Sequence, residues 1–353
     1  MPNKTIPNHI QQVTVSLQAD ADFSSIQQAL DNAPDDHSPY LIYIANGRYQ
    51  EKIKVTRANT QLIGESQTHC IVSATMANGM IDSQGRKFAT FNSYTLCIDA
   101  ADVQIRSLSI ENGFDFPANA AKAEGDPSKL KHTQAVALAL GDNADRVQLI
   151  DLDLQSYQDT LYLRAGRCYL SHCRIAGTID FIFGGGVALI DKCEIVARNR
   201  EAQHHEQVYG YISAPCTDIK QTHGLVFRHC QLSKEPGVPA NSYALGRPWH
   251  PTTQFSDGNY ADPKAIGHVA FINCELDDHL YGWDKMSGRD IQQNIIWFRP
   301  ENSRFWEYNN SGAGAKSRDK QRPQLTEQQM QHYQLEHIFG DWRPSLYQAN
   351  QAE

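Results

Sequence analysis

Val103-Gln-Ile-Arg-Ser-Leu-Ser-Ile110 carries apolar residues at its first, third, sixth and eighth positions. The same template fits Val147–Leu154, Cys168–Ile175, Ala188–Ile195, Leu225–Leu232 and Val269–Leu276. The starts of these segments lie 44, 21, 20, 37 and 44 residues apart. They imply a unit of roughly 20–22 residues, sometimes doubled or interrupted by insertions. A strand-only unit that short cannot bury its own apolar face. Stacked copies can, and a parallel β-helix is the solution the spacing predicts. A β-sandwich whose strands coincide by chance is the competing arrangement.

The rest of the chain agrees with an all-β solenoid bearing short helices near its ends. Ile26, Ala29, Leu30 and Ala33 recur at helical spacing, and Pro34 stops the run. Thr326 and Gln329 form a capping-box pattern that predicts a second helix, closed by Gly340. Between them the apolar runs are short, rich in Val, Ile, Leu, Phe and Tyr, and separated by Gly and Asn. We read residues 1–353 as one domain.

Composition excludes several function classes. The 353 residues are 41% hydrophobic and 20% charged, which is ordinary globular chemistry. A net charge of −8 argues against nucleic acid as a partner, which needs a basic face. No apolar run reaches about 18 residues, so no membrane-inserted helix is expected. Met1–Ala19 mixes Pro, Asn, Lys, His and Gln without an apolar stretch and does not read as a signal peptide. A cytoplasmic enzyme is expected if Met1 is the native start.

Eight cysteines form no Cys-x-x-Cys pair, so a zinc site is not expected. Cys173, Cys193, Cys230 and Cys274 all occupy the sixth template position and should point inward as a stack of small apolar groups. Cys173 and Cys193 lie one coil apart, about 4.8 Å, within disulfide reach. A bridge in an oxidising compartment and free thiols in the cytosol are both open.

The repeat also places two carboxylates. Asp159 follows Leu154 by five residues and Asp180 follows Ile175 by five, each leading a strand, Asp159-Thr-Leu-Tyr-Leu and Asp180-Phe-Ile-Phe. Stacking should make them neighbours. Two close carboxylates titrate as a unit, and one holds its proton to higher pH. That splits the roles into one anionic nucleophile or base and one acid. Gln134 heads a similar strand one coil earlier, and Gln158 adjoins Asp159; amide N–H groups there suit an oxyanion. Solvated turn carboxylates and a glutamine ladder would leave the same residues in place. Other signals carry less. His204-His205-Glu206 has no third metal ligand at a useful spacing, Gly184-Gly-Gly186 lacks the Gly-Lys-Ser/Thr of a phosphate loop, and there is no Gly-x-Ser-x-Gly. Lys129-Leu-Lys131-His132 reads as a solvated loop.

Five segments in order, Gly47-Arg-Tyr-Gln-Glu-Lys-Ile53, Gln134-Ala-Val-Ala-Leu138, Gln158-Asp-Thr-Leu161, Gly177-Thr-Ile-Asp-Phe-Ile-Phe-Gly184 and Leu245-Gly-Arg-Pro-Trp249, resemble the signature blocks of the pectin methylesterases. The resemblance spans roughly residues 20–345, and segment 113–133 is similar to the bacterial members. It implies a right-handed parallel β-helix, in agreement with the repeat, and a family that is mostly secreted, periplasmic or outer-membrane. Some bacterial members carry a disulfide where Cys173 and Cys193 fall. By motif, the resemblance makes Asp180 the nucleophile, Asp159 the general acid and then base, Gln134 and Gln158 the oxyanion donors, and Arg247 the partner of Asp180. No cofactor or metal is needed for that chemistry.

Sugar binding would fall to Trp249, Phe183, Tyr162 and Met286. Trp249 is expected to be exposed in a polar loop. Tyr162 and Phe183 lie three residues past an Asp, which strict alternation would bury if the Asp side chains face out. A bend at Gly184-Gly-Gly186 would relieve this. The implied partners are methyl-esterified homogalacturonan or oligogalacturonides, acted on by a monomer. An acidic enzyme should prefer heavily esterified substrate, with a KM insensitive to salt. A glycan-cleaving β-helix enzyme, a relative acting on another ester or a thioester, and a non-catalytic solenoid are the alternatives.

Overall fold

A computed structural model describes residues 11–200, 207–316 and 318–345. The chain winds as a right-handed parallel β-helix with three ladders of parallel strands running along its length. One ladder runs from Gln11–Val15 through Val147–Gln155 to Arg304–Tyr308. A second runs from Gly47–Gln50 to Glu275–Leu276. The third runs from Ile53–Val55 through Leu138–Leu140, Leu161–Leu163, Ile182–Gly184, Gly210–Pro215 and Tyr243–Gly246 to Leu280–Trp283.

The template is the corner between the first two ladders. Val147 pairs with Cys168, Cys168 with Ala188, Ala188 with Leu225 and Leu225 with Val269. Gln148 pairs directly with Gln104, so a 44-residue interval is one coil with an insertion and never a doubled coil. The fifth template residue explains the slip from position three to position six. Ser107, Asp151, His172, Lys192, His229 and Asn273 all have φ between 53° and 57°. In an unbroken strand positions three and six would face opposite ways. One left-handed residue turns the corner and keeps both inside. From Cys168 onward the corner splits each template segment into two strands, Arg167–Ser171 and Arg174–Gly177 being the first pair.

All six residues at the sixth position are at most 2% exposed. The four cysteines among them are free thiols, and the Cys173 amide donates to Cys193 Sγ at 3.4 Å. Helices form near both ends of the chain as the sequence predicts, with one difference. Ile26–Asp31 buries Ile26, Ala29 and Leu30, and Ser25 caps it. Glu51 pins that helix by accepting from Ser25 Oγ, Ile26 N and Gln27 N. At the other end the Thr326–Gln329 capping box forms, but the helix stops after Glu327–Met330. A 3₁₀ turn follows, then a separate helix Leu335–Phe339 ending at Gly340 with φ 65°. Leu325, Tyr333, Ile338, Phe339 and Trp342 there cover the outward apolar row Tyr169, Leu189, Val226, Ala270 and Ile272. Packing onto that flat sheet face, at about 1.5–3 kcal/mol per large side chain, outweighs the continuous helix.

Candidate active site

The third ladder carries the two acids. Leu161 pairs with Ile182 and Tyr162 with Phe183. Both strands begin two residues after the acid, so Asp159 and Asp180 sit in the turn that precedes them. Their φ values are 67° and 51°, left-handed conformations that Asp tolerates better than a branched residue. This is where the chain bends; the bend expected at Gly184–Gly186 is not what reorients the strands. With the phase reset at each Asp, the acids and the rings three residues later all lie on the outer side. Leu161, Leu163 and Ile182 fill the core, while Tyr162 and Phe183 join a separate outer cluster. The Asp159 amide donates to Ile179 O at 3.1 Å, which locks the two turns one rung apart.

Arg247 follows the strand Tyr243–Gly246, and its guanidinium reaches back across the Tyr211 ring, 3.7 Å from the centroid. Arg247 Nε donates to Asp180 Oδ1 at 2.8 Å and Nη2 to Oδ2 at 2.6 Å. This is a bidentate charge-assisted pair around a carboxylate that is only 7% exposed. Burial and the adjacent Asp180 charge push the Asp159 carboxyl well above the ordinary range, against an opposing pull from Arg247. Asp159 therefore has the environment of a carboxylic acid and Asp180 that of a paired anion.

Asp159, Asp180, Gln134, Gln158, Arg247, Phe183, Trp249 and Met286 all line one cavity of about 220 Å³. Gln134 does not head a strand; it forms an isolated parallel bridge with Gln158, and the strand begins at Leu138. Gln134 Oε1 accepts from Asn78 Nδ2 at 3.1 Å, and Gln158 Oε1 accepts from Thr133 Oγ1 at 2.7 Å. Fixing both oxygens leaves the two NH₂ groups as donors for the cavity. Trp249 is half-buried, not exposed, because its ring meets Phe183 edge-on at 5.6 Å. Tyr162 does not line the cavity. It is stacked between Phe183, 4.5 Å away, and Phe91, 5.2 Å away.

Sequence reasoning missed Thr90, Phe91 and Ala214 on the wall, and Asn78 and Tyr211 behind it. Asn78, Thr90 and Phe91 come from an insertion that has no counterpart in the repeat, so no spacing points to them. His204, His205 and Glu206 lie outside the described residues. Lys129 pairs with Glu124, as a loop residue would. Among the described residues, Asp277, Asp278 and His279 approach one another as metal ligands could, but away from the cavity and with Lys234 already on Asp278.

A family model described as Pectinesterase matches residues 12–338. Pectinesterase A of Dickeya dadantii (strain 3937) is 49% identical over 325 residues, covering 92% of this chain and 88% of its own. A crystal structure of a pectin methylesterase in complex with hexasaccharide VII has a TM-score of 0.93 and 47% identity, covering 96% of this chain and 99% of the other. An aspartate-to-alanine mutant of a pectin methylesterase, in complex with hexasaccharide IV, matches with the same values.

Proposed function

Since the chain belongs to the pectinesterase family, carboxylic ester hydrolases that act on the methyl esters of pectin, we propose that it works as an aspartyl esterase with Asp180 as nucleophile and Asp159 as acid and base. The observation that supports this most is the Arg247 fork on Asp180 beside a buried, proton-retaining Asp159.

A carboxylate oxygen of Asp180 attacks the ester carbonyl carbon. Carboxylate is a weak nucleophile, so positioning and charge stabilisation must lower the barrier. The negative charge that develops on the carbonyl oxygen is met by the Gln134 and Gln158 NH₂ groups, each a contribution of about 10²–10³ in rate. Asp159 gives its proton to the methoxy oxygen, and methanol leaves. The sugar is then held as a mixed anhydride on Asp180. Asp159, now anionic, takes a proton from water, and the resulting hydroxide attacks the anhydride. Galacturonic acid departs and gives its proton to solvent, Asp180 is again a carboxylate and Asp159 again an acid. Arg247 stays paired with Asp180 and holds its carboxylate in place for the attack. Phe183, Trp249, Met286 and Ala214 give the methyl group and the sugar an apolar wall.

The substrate in this reading is methyl-esterified homogalacturonan or its oligomers. Incubation with methylated pectin should release methanol without shortening the chain, and Asp180→Ala should abolish that release while leaving the circular dichroism unchanged. New reducing ends or unsaturated uronates would overturn the reading in favour of glycan cleavage.

A further inference from the structure

The turn Asp277-Asp278-His279 joins the last strand of the second ladder, Glu275–Leu276, to the last strand of the third, Leu280–Trp283. Its backbone is tied on every side. The Asp277 amide donates to Leu232 O at 3.1 Å, and the Leu280 amide to Asp277 O at 3.2 Å. Asp278 O accepts from the Asn241 amide at 2.9 Å. His279 O accepts from the amides of both Ser242 and Tyr243 at 2.8 Å. The three side chains therefore start from fixed positions, one rung beyond the strand Tyr243–Gly246 that leads to Arg247.

Those side chains converge. One atom from each, two carboxylate oxygens and an imidazole nitrogen, lies within 4.8 Å of the others. The His279 residue is 0% exposed, and among the described residues neither Nδ1 nor Nε2 has a hydrogen-bond partner. A buried polar atom without a partner is costly, and here both nitrogens of one ring are in that state. The Tyr243 ring stands nearly perpendicular to the imidazole at 5.7 Å, a contact that can satisfy at most one N–H. The other nitrogen of a neutral imidazole is an acceptor, and the two carboxylates beside it are acceptors too. Three acceptors converging on one point require a cation between them. Lys234 Nζ pairs with Asp278 Oδ1, and Asp277 Oδ1 accepts from the Asp278 amide at 2.7 Å. Neither contact reaches the His279 ring.

The geometry points to a binding site for one divalent transition-metal ion, with Asp277, Asp278 and His279 as its ligands. Zinc suits this mixed oxygen and nitrogen set. Calcium and magnesium prefer oxygen shells and would leave the imidazole unused. Zinc takes such ligands at about 2.0–2.2 Å, which places neighbouring ligand atoms about 3.4 Å apart. The half-buried aspartates can reach that spacing by side-chain rotation, while the tied backbone and the buried ring stay still. Lys234 competes for Asp278 and must release it. The site lies outside the catalytic cavity and does not depend on the esterase reading. Its ion would hold the last turn between these two ladders in the folded form.

Calorimetric titration of the chelator-treated protein with zinc chloride tests the site. The comparison is with the double variant Asp277→Asn/Asp278→Asn, which keeps the shape of both side chains; circular dichroism checks its fold. The wild type should bind one zinc ion that the double variant binds at least roughly tenfold more weakly. Lys234→Met should bind zinc more tightly than the wild type, because the competing cation is gone. Free zinc at about one hundred times Kd should raise the Tm of the 353-residue chain by about 3–4 °C, and that of the double variant at most about half as much. Magnesium at the same concentration should leave both unchanged. Zinc held by other histidines acts on both proteins alike and cancels in the comparison. Equal zinc affinity in wild type and double variant would overturn the site, as would an equal rise in Tm with magnesium. No zinc-dependent shift at all would overturn it in favour of a proton shared between His279 and a carboxylate.

Discussion

Replacing Arg247 with glutamine removes both hydrogen bonds to Asp180 and leaves a carboxylate that is only 7% exposed beside a second buried acid. Losing one partner of a buried pair costs about 3–5 kcal/mol, because the remaining charge is neither solvated nor paired. The variant can escape part of that cost by protonating Asp180, which silences the nucleophile. Either way the same energy opposes the attacking state, so kcat/KM should fall by about 10²- to 10⁴-fold at neutral pH. Stability should fall too. An unfolding entropy of about 2.1 cal/mol/K per residue over 353 residues converts 3–5 kcal/mol into a drop of about 4–7 °C in Tm. Arg247→Lys keeps the charge but not the fork, and losing one charged hydrogen bond at about 1.5–3 kcal/mol predicts a smaller loss, about 10- to 100-fold. The assay is methanol release from pectin across pH, paired with thermal melts of each variant. A glutamine variant within fivefold of wild type, or one that loses activity without any change in Tm, would refute the reasoning.

Asp159→Asn should abolish turnover yet stabilise the protein at neutral pH. The folded carboxyl keeps its proton above the unfolded value of 3.8, so the unfolded chain binds fewer protons between the two values. Wild-type stability therefore declines as pH rises from about 4 towards the folded value, and the neutral amide has no such decline. The Tm difference between variant and wild type should grow over that interval; a pH-independent difference would contradict it. Gln134→Ala and Gln158→Ala should each lower kcat by about 10²–10³ with little change in KM, and the double variant should lose less than the product of the two, since both serve one oxygen. A rise in KM at constant kcat would instead make them ground-state contacts. At the repeat corner, Lys192 has φ 53° and is exposed, so Lys192→Val should melt below Lys192→Gly by the equivalent of about 1–2 kcal/mol, with esterase activity unchanged in both. Equal melting temperatures would mean that the corner relaxes at no cost.

The solenoid was legible because its register is written directly in the spacing of apolar positions. Val147, Cys168, Ala188, Leu225 and Val269 stack at the intervals counted from the chain. The pairing of Asp159 with Asp180 follows from the same spacing, since residues one coil apart become lateral neighbours. What spacing could not distinguish is an insertion from a second coil, because both add residues between the same two rungs. Nor could it show which way side chains point once a residue leaves the extended region. The left-handed φ at Asp159 and Asp180 is a local choice that Asp permits and does not demand. That choice puts Tyr162 and Phe183 on the outer surface, and the crowding of Phe91, Phe183 and Trp249 decides that Phe183 reaches the cavity and Tyr162 does not.

The amino-acid sequence by itself determined the coil, the order of its rungs and the meeting of two acids, because periodic burial in a stacked ladder leaves one consistent register. Beyond the repeat, Arg247, Gln134 and Gln158 were reached only through the family resemblance, and the tertiary structure alone decided how they are held. Arg247 arrives from two rungs away, the oxygens of Gln134 and Gln158 are fixed by Asn78 and Thr133, and an insertion supplies Thr90 and Phe91. Those contacts join segments with no shared period, so only the folded path of the chain brings them together.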